Sequence, residues 1–361
     1  MMRRIVLALV ALIAGWCAVL LFMGLQFMYS PANPGSPDVI FSVEPGPFAK
    51  TAQNLASQGL TKDAFKMRML AKFTGYANKI QVGEYKLDAG MTPIEILQEI
   101  SSGKTIQYPF TMSEGLNIFE IANLMESQSF AKAQEVIAKC FDKSFFKKYL
   151  GDVHSCEGYL FPETYNFNKS MSLEAKLGVM IKKFLERYKE LEVQYSNFYL
   201  NRHEIVTLAS IIEKETGADE ERALVSSVYQ NRLKIGMRLQ ADPTVLYGMM
   251  DTSKKLENNI RRKDLLTPNR YNTYAMKGLP FGPIANPGFA SLKAVFTPAT
   301  ADYLYFVSKN DGTHVFSKDF SVHSANVQSL QKNPEARKGK SWKDLAKSKT
   351  QKSPPQKSRT R

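Results

Sequence analysis

The first 29 residues constrain this chain most, because they contain an uncharged apolar segment long enough to cross a lipid bilayer. The segment extends from Ile5 to Leu25 and follows Arg3 and Arg4. A helix needs about 20 apolar residues to span the hydrocarbon layer. A cleaved signal peptide would have a shorter apolar core and a small-residue cleavage site, and this sequence has no obvious one. We therefore expect residues 1–29 to form a short cytoplasmic tail and an uncleaved single-pass anchor.

The arginines before the apolar segment predict where the rest of the chain lies. Positive charge next to a span favours the cytoplasmic side, so we expect an inner-membrane protein whose later residues face the periplasm. The sequence has no P-loop or G-x-G-x-x-G pattern, and its four histidines lack metal-ligand spacing, so neither a cofactor nor a metal is expected. Cys140 and Cys156 lie in the exported part, and the sequence leaves open whether they form a disulfide.

Composition and turn residues divide the exported part into segments. Residues 30–39, SPANPGSPDV, form a Pro- and Gly-rich linker. Residues 40–165 contain successive strand–turn–helix patterns, which predict a small α/β module. Residues 166–332 combine long helical patterns with Gly-, Pro- and aromatic-rich loops, which predict a larger α+β domain. The chain as a whole is therefore expected to be α+β.

Residues 333–361 form a basic tail with ten Lys or Arg and two acids, which is +8 of the chain's net charge of +14. Its polar, Pro-containing composition predicts disorder. An exported tail meets anionic lipid headgroups or cell-wall polymers, so nucleic acid is not an expected partner. A solvated extension without a partner is the alternative.

Three local patterns predict the bounds of particular elements. Thr92-Pro93 is typical of a helix start, and Gly103 is a suitable stop for that helix. A second helix is expected from about Asp219 to Ile235, ended by Gly236. The segment YLYFVSKNDGTHVFS predicts a β-hairpin with its turn at Asn310-Asp311-Gly312.

The segment LASIIEKETG, residues 208–217, places two carboxylates at the end of an apolar helical face. Glu213 and Glu215 fall on opposite flanks of this face at about 100° per residue, whereas Lys214 points away. A carboxyl against apolar surface tends to keep its proton, as a general acid must. Spacing does not decide which glutamate is the buried acid, and a solvated helix end is the alternative for both. The apolar arc consists of Ile205, Leu208, Ala209 and Ile212.

Two later segments carry further candidates. Asp242, in RLQADPTVLYG, is the nearest second acid in sequence, although Asp before Pro is also a common turn residue. The cluster Tyr271-Asn272-Thr273-Tyr274 and the following GLPFGPIANPG are rich in Gly, Pro and hydrogen-bonding groups. Such loops often bind polar substrates, including sugars. A stiffened surface loop is the alternative.

Long ordered blocks of the chain resemble one family. LASIIEKETG, YQNRLKIGMRLQADPTVLYG and RYNTYAMKGLPFGPIANPGFASLKAVFTPATADYLYFV are similar to motifs of the MltG-type (YceG-like) endolytic murein transglycosylases. The resemblance also takes in VGEYKLDAGMTPIEILQEISSGK and a LysM-like unit near FTMSEGLNIFEIANLM, and covers roughly residues 40–330. It implies a LysM-like unit within residues 40–165 and a YceG-like catalytic domain at 166–332. Phe281 stands where relatives often have Pro, and the basic tail is outside the resemblance.

The resemblance implies a specific reaction. These enzymes cut nascent glycan strands between N-acetylmuramic acid and N-acetylglucosamine without water, leave a 1,6-anhydromuramoyl end and so terminate strand elongation. By position in the motif, the family's catalytic glutamate corresponds to Glu213 and not to Glu215. Its implied role is general acid to the leaving oxygen, then general base toward the muramoyl 6-hydroxyl. The residues that match family blocks and are predicted to line the glycan groove are Gln240, Asp242, Tyr271, Asn272, Thr273 and Tyr274.

The implied partners are peptidoglycan glycan strands, with peptidoglycan synthases as further candidates, and no cofactor is implied. The alternative function is a non-catalytic, membrane-anchored scaffold that binds peptidoglycan and keeps the fold. The intact motif around Glu213 favours the enzyme.

Overall fold

The computed structural model describes residues 2–333 except residues 36, 197, 256 and 258. Its secondary structure mixes helices with short strands, which confirms the predicted α+β class. The helices are α1 (Met2–Tyr29), α2 (Phe48–Ser57), α3 (Ala64–Phe73), α4 (Pro93–Ser102), α5 (Ile118–Ser127), α6 (Ala133–Phe141), α7 (Lys143–Leu150), α8 (Leu173–Gln194), α9 (Arg202–Glu215), α10 (Arg222–Lys234), α11 (Asp242–Ser253), α12 (Arg262–Leu266), α13 (Phe289–Phe296) and α14 (Phe320–Val327). The strands are β1 (Val39–Val43), β2 (Gly83–Leu87), β3 (Tyr108–Thr111), β4 (Thr164–Phe167), β5 (Tyr305–Ser308) and β6 (His314–Ser317).

The chain divides into two compact units. Among the described residues, unit 1 comprises those up to 110 and 165–172, and unit 2 comprises 111–164 and those from 173 to 333. Strands β3 and β4 pair with each other, and the division crosses both. The boundary predicted from the sequence, residue 165, therefore lies within β4, and residues 111–164 cluster with unit 2. Of the predicted basic tail, only Asn333 is among the described residues.

The N-terminal helix α1 is long and apolar enough to fit a membrane anchor. Its most apolar stretch has a mean hydropathy of 2.9, and its side chains are exposed as far as Gln26. A soluble protein rarely leaves so many large apolar side chains in contact with water. The apolar helix predicted from the sequence is therefore confirmed.

The rest of unit 1 is built around the antiparallel strands β1 and β2, which helices α2 and α3 separate in sequence. Val39 lies opposite Leu87, and the buried Phe41 and Tyr85 lie opposite each other. Helices α2, α3 and α4 pack their apolar faces around this pair. The predicted start of α4 is confirmed, because Thr92 forms a capping box with Glu95. Its predicted stop is confirmed as well, since Gly103 adopts a left-handed backbone with φ of 74°.

Unit 2 is centred on α9, which is buried along most of its length and packs against α10, α11 and α13. Asn201 caps its start by accepting a hydrogen bond from the backbone N–H of Glu204. The helix predicted from Asp219 begins as a 3-10 turn, continues as α10 and is followed by Gly236 in a left-handed conformation. The predicted hairpin is confirmed as the antiparallel pair β5 and β6.

A disulfide joins Cys140 and Cys156, whose Cα atoms are 5.0 Å apart. It connects the end of α6 to the loop before β4, and the backbone N–H of Cys156 also donates to the carbonyl of Cys140 at 2.9 Å. The structure thus shows that Cys140 and Cys156 pair, which the sequence left open. Such bonds persist in oxidising compartments.

Candidate active site

The end of α9 places Glu213 beside an apolar helical face. All four residues of the predicted arc are buried, with Ile205 2 % exposed and Leu208, Ala209 and Ile212 fully buried. The burial is wider than predicted, because Val206, Thr207, Ser210 and Ile211 are buried too. A helix enclosed on almost all sides holds its last turn rigidly, so Glu213 and Glu215, which lie in that turn, have fixed positions.

The Glu213 carboxylate faces the start of α13 and one guanidinium. Its Oε2 accepts a hydrogen bond from the backbone N–H of Gly288 at 3.0 Å, and its Oε1 lies 3.9 Å from Nη2 of Arg222. Gly288 is the residue before the first turn of α13, where unpaired N–H groups and the helix dipole favour a negative charge. Only 7 % of the Glu213 side chain is exposed. The carboxylate is therefore desolvated but supplied with two groups that stabilise its charge.

Arg222 is itself fixed from two sides. Its Nε donates to Oγ of Ser291 at 3.2 Å, and its Nη1 pairs with the carboxylate of Asp219. The residue is 8 % exposed. Because the 3-10 turn before α10 and the first turn of α13 hold the guanidinium together, it stays beside Glu213.

A second carboxyl, Glu114, lies at the same place. It occupies the space beside Gly288 that a side chain would need, since a Cβ on Gly288 would overlap Oε1 of Glu114. Burial raises the pKa of Glu114, and the negative charge of Glu213 raises it further, whereas Arg222 opposes the shift. The two acids therefore form a coupled pair in which one neighbour disfavours the charge of the other. Sequence reasoning missed Glu114, although it lies within the block FTMSEGLNIFEIANLM, because it has no periodic pattern and is far from Glu213 in sequence.

Gly115 allows this close approach. Its φ of 77° is a conformation that glycine adopts easily, and a Cβ there would be 3.4 Å from Cγ of Glu213. Its N–H donates to the carbonyl of Asn286 at 2.9 Å, and its carbonyl accepts from Nζ of Lys214 at 3.1 Å. Lys214 is exposed, as predicted, but its ammonium also ties the end of α9 to this turn.

A buried polar network holds this turn against the loop before α13. Oε2 of Glu157 accepts from the N–H of Ile118 and its Oε1 accepts from Nδ2 of Asn286, both at 2.9 Å. Oδ1 of Asn286 accepts from the N–H of Leu160 at 2.8 Å. Burial raises the pKa of Glu157 to about 8. Like Glu114, this buried carboxyl was not predicted from the sequence. Its hydrogen bonds join the start of α5 to the loop before α13, which indicates a structural role.

Glu215 meets different surroundings. Burial raises its pKa to about 7, a hydrogen bond with Tyr229 opposes the shift, and the charge of Asp242 adds to it. Asp242 is the first residue of α11, so the Asp-Pro pair begins a helix and is not only a turn. Oη of Tyr274 donates to Oδ1 of Asp242 at 2.5 Å. Glu215, Asp242 and Tyr274 thus belong to one polar cluster, separate from the partners of Glu213.

The residues predicted to line a groove divide by exposure. Gln240 and Asp242 are exposed and Tyr274 is half-buried, and Gln240 has a φ of 52°, which is uncommon for a residue other than glycine. Tyr271, Asn272 and Thr273 are buried.

The three buried residues hold the loop that carries Tyr274. Nδ2 of Asn272 donates to three backbone carbonyls of residues 264–267, and Oδ1 of Asn272 accepts from the N–H of Tyr274 at 2.9 Å. Oγ1 of Thr273 accepts from the N–H of Ala241 at 3.0 Å, which joins this loop to the start of α11. Tyr271 packs edge-on against Tyr247. Phe281 is 46 % exposed.

Comparison with known proteins assigns the chain to a family. The sequence model of the YceG-like family matches residues 41–329. The chain is 36% identical over 292 residues to an endolytic murein transglycosylase of Bacillus subtilis, an alignment that covers 76% of this chain and 79% of that protein. It is 27% identical to an endolytic murein transglycosylase of Streptococcus pneumoniae, over 76% of this chain and 54% of that protein. The crystal structure of a YceG-like protein from Listeria monocytogenes matches 81% of this chain and 99% of that one, with 28% identity and a TM-score of 0.53. The chain belongs to the YceG-like family.

Proposed function

We propose that this protein is an endolytic lytic transglycosylase of peptidoglycan, a lyase that cleaves the bond between N-acetylmuramic acid and N-acetylglucosamine in nascent glycan strands. The observation that carries the proposal is the placement of Glu213 in a member of the YceG-like family. Its carboxylate is buried, bonded to the start of α13 and faced by Arg222 and Glu114. The relatives named above carry the name of this activity.

Glu213 acts in both proton transfers. As general acid it protonates the glycosidic oxygen, so that the bond to the anomeric carbon of the muramoyl residue breaks. The resulting carboxylate then removes the proton of the muramoyl 6-hydroxyl, whose oxygen bonds to the same carbon and closes the 1,6-anhydro ring. Because the nucleophile comes from the substrate, the reaction needs no second acid to activate water. The N–H of Gly288 and the guanidinium of Arg222 stabilise the charge that Glu213 carries between the two steps.

Glu114 acts as a positioning residue for Glu213. Burial and the negative charge of Glu213 raise its pKa, which disfavours a second negative charge at this place. Its carboxyl fills the space next to Gly288, whose N–H donates to Glu213, and so limits how the Glu213 side chain can move.

The glycan is bound beyond Glu213 by the cluster around Asp242. Gln240, Asp242 and Tyr274 offer polar groups at the surface, whereas Tyr271, Asn272 and Thr273 hold the loop from inside. Sugars are bound by such polar groups on a rigid scaffold.

The location and the remaining segments are proposed from the anchor and the disulfide. The protein is held in the inner membrane by α1, with Arg3 and Arg4 on the cytoplasmic side and the Cys140–Cys156 disulfide in the oxidising periplasm. The LysM-like unit within residues 40–165 binds glycan strands, residues 166–332 carry the catalytic glutamate, and peptidoglycan synthases supply the nascent strands.

Digestion of purified glycan strands tests the activity. The full-length protein is expected to release fragments with anhydro ends, detected by mass spectrometry, and the Glu213→Gln variant is expected to release about 10²- to 10⁴-fold fewer in the same time. The alternative, a non-catalytic scaffold, predicts that both proteins bind strands and that neither cuts them. Equal products from the two proteins would refute the role of Glu213.

A further inference from the structure

Helix α3 carries two apolar faces, and only one of them is used by the fold. Met67 and Ala71 are fully buried in the core of unit 1. Phe65, Met69 and Phe73 follow one another at intervals of four residues, so they form a strip on another side of the helix. Phe65 is 67 % exposed and Phe73 is 81 % exposed. This strip has no partner among the described residues that would bury its two phenylalanines.

The strip lies next to the C-terminal half of the anchor. Together with Leu20, Leu21 and Gly24 of α1, it lines an open apolar groove of about 660 Å³. Near the end of α1, Nζ of Lys66 lies 5.9 Å from the centre of the Phe27 ring, and Phe27 packs against the core of unit 1. Helix α3 is thus held alongside the part of α1 that would leave the hydrocarbon layer.

The depth of α3 follows from the length of the anchor. At about 1.5 Å per residue, the apolar segment Ile5–Leu25 is just long enough to cross the roughly 30 Å hydrocarbon layer. Leu20, Leu21 and Gly24 then lie within one and a half turns of its outer edge. Phe65 and Phe73, which share a groove with them, must lie near the boundary between acyl chains and headgroups.

The charges around the strip fit the same surface. Residues 62–79 contain five Lys or Arg and one acid, Asp63, which caps α3 by accepting from the N–H groups of Phe65 and Lys66. Lys66 flanks the strip on one side, and Arg68 and Lys72 flank it on the other. An apolar strip between basic side chains is the pattern of a helix that lies in a membrane surface.

We propose that α3 is a membrane-surface helix. Phe65, Met69 and Phe73 insert into the outer leaflet of the bilayer that α1 spans, and the neighbouring Lys and Arg bind anionic lipid headgroups. Unit 1 is thereby fixed against the membrane by two elements, where a single helix would let it swivel. This surface does not depend on the proposed enzymatic activity.

Spin labels on the full-length protein test the proposal. Because Cys140 and Cys156 form a disulfide, Cys17→Ser removes the remaining thiol of the sequence. Single cysteines are then introduced as Phe65→Cys or Phe73→Cys, with Leu21→Cys as the membrane reference and Gln53→Cys, an exposed polar site on α2, as the water reference. The labelled protein is reconstituted in vesicles of phosphatidylcholine and phosphatidylglycerol, and the accessibility of each label to oxygen and to a water-soluble nickel chelate is measured.

Labels at 65 and 73 are expected to show an oxygen-to-nickel accessibility ratio several-fold above that at 53 and closer to that at 21. A ratio equal to that at 53 would overturn the proposal. Spin–spin broadening at 73 that disappears on dilution with unlabelled protein would also overturn it, because a second copy would then cover the strip. The labels should lie less deep in vesicles of phosphatidylcholine alone, and equal depths would overturn the part assigned to the charges.

Discussion

Glu213 and Glu215 lie two residues apart in the last turn of α9, but different groups surround their carboxyls. Glu213 faces a backbone N–H, a guanidinium and the second carboxyl of Glu114. Glu215 faces the hydroxyl of Tyr229 within the interior, and burial raises its pKa to about 7. A raised pKa by itself therefore does not mark a catalytic acid, because Glu157, whose hydrogen bonds join the start of α5 to the loop before α13, has one as well. What distinguishes Glu213 is the guanidinium of Arg222 at 3.9 Å together with the neighbouring carboxyl of Glu114.

The largest effect should separate the two glutamates by activity. Glu213→Gln removes the group that donates and accepts the proton, so turnover should fall by about 10²- to 10⁴-fold. Glu215→Gln should leave turnover close to that of the wild type, because the amide can still bond to Tyr229. Initial rates of anhydro-end formation measure both. A folded Glu215→Gln protein as inactive as Glu213→Gln would contradict the assignment of proton transfer to Glu213 alone.

Gly288→Ala tests the coupled pair next to Glu213. The new Cβ would displace the Glu114 carboxyl, and the backbone conformation of Gly288 is one that alanine accepts. Loss of this positioning should lower turnover by about 10- to 100-fold. The matched control is Gly217→Ala, since a Cβ on Gly217 meets no atom within 4 Å. Equal rates for wild type and Gly288→Ala would show that Glu114 does not position Glu213.

The contribution of Glu215 to the stability of the fold should depend on pH. Its pKa is about 7 in the folded protein, above the ordinary value of 4.5, so the proton it keeps stabilises the fold. That contribution is fully present below about pH 4.5 and is lost as the pH rises to about 7. Glu215→Gln stays neutral, so relative to the wild type it should gain roughly 3 kcal/mol of unfolding free energy between pH 4.5 and 8. Denaturant unfolding of both proteins at several pH values measures the difference, and a constant difference would contradict the burial of this carboxyl.

The smallest effect concerns the cluster around Asp242. Tyr274→Phe removes the hydrogen bond to Asp242, which should weaken glycan binding by about fivefold, or about 1 kcal/mol, with little change in turnover at saturation. Tyr199→Phe is the matched control, because it removes a hydrogen bond to Gln230 in the same way. A change in KM for Tyr199→Phe equal to that for Tyr274→Phe would assign the effect to folding instead of binding.

Sequence patterns predicted what neighbouring residues determine together. The capping of α4 by Thr92, the turn of the hairpin and the apolar arc of α9 depend on residues a few positions apart, and the structure confirms each of them. Contacts between remote segments were not predictable. Glu114 and Gly288 reach Glu213 from distant parts of the sequence, and no spacing rule connects them.

Burial was the other property that one sequence could not supply. Asn272 and Thr273 have the side chains of sugar-binding residues, but their hydrogen bonds are used inside the loop. The same residue types fill both roles, so only packing distinguishes them. The apolar strip of α3 is the converse case, since its period resembles that of a core face and only the structure places it outside.

Digestion in water enriched in oxygen-18 distinguishes attack by the muramoyl 6-hydroxyl from attack by water. If Glu213 transfers the proton of the muramoyl 6-hydroxyl, the wild type should release 1,6-anhydromuramoyl ends that contain no oxygen-18. Glu215→Gln should release the same ends, and Glu213→Gln should release about 10²- to 10⁴-fold fewer in the same time. New reducing ends, in excess of those on undigested strands kept in the same water, would mean that water attacks the anomeric carbon, and they would contradict the role assigned to Glu213.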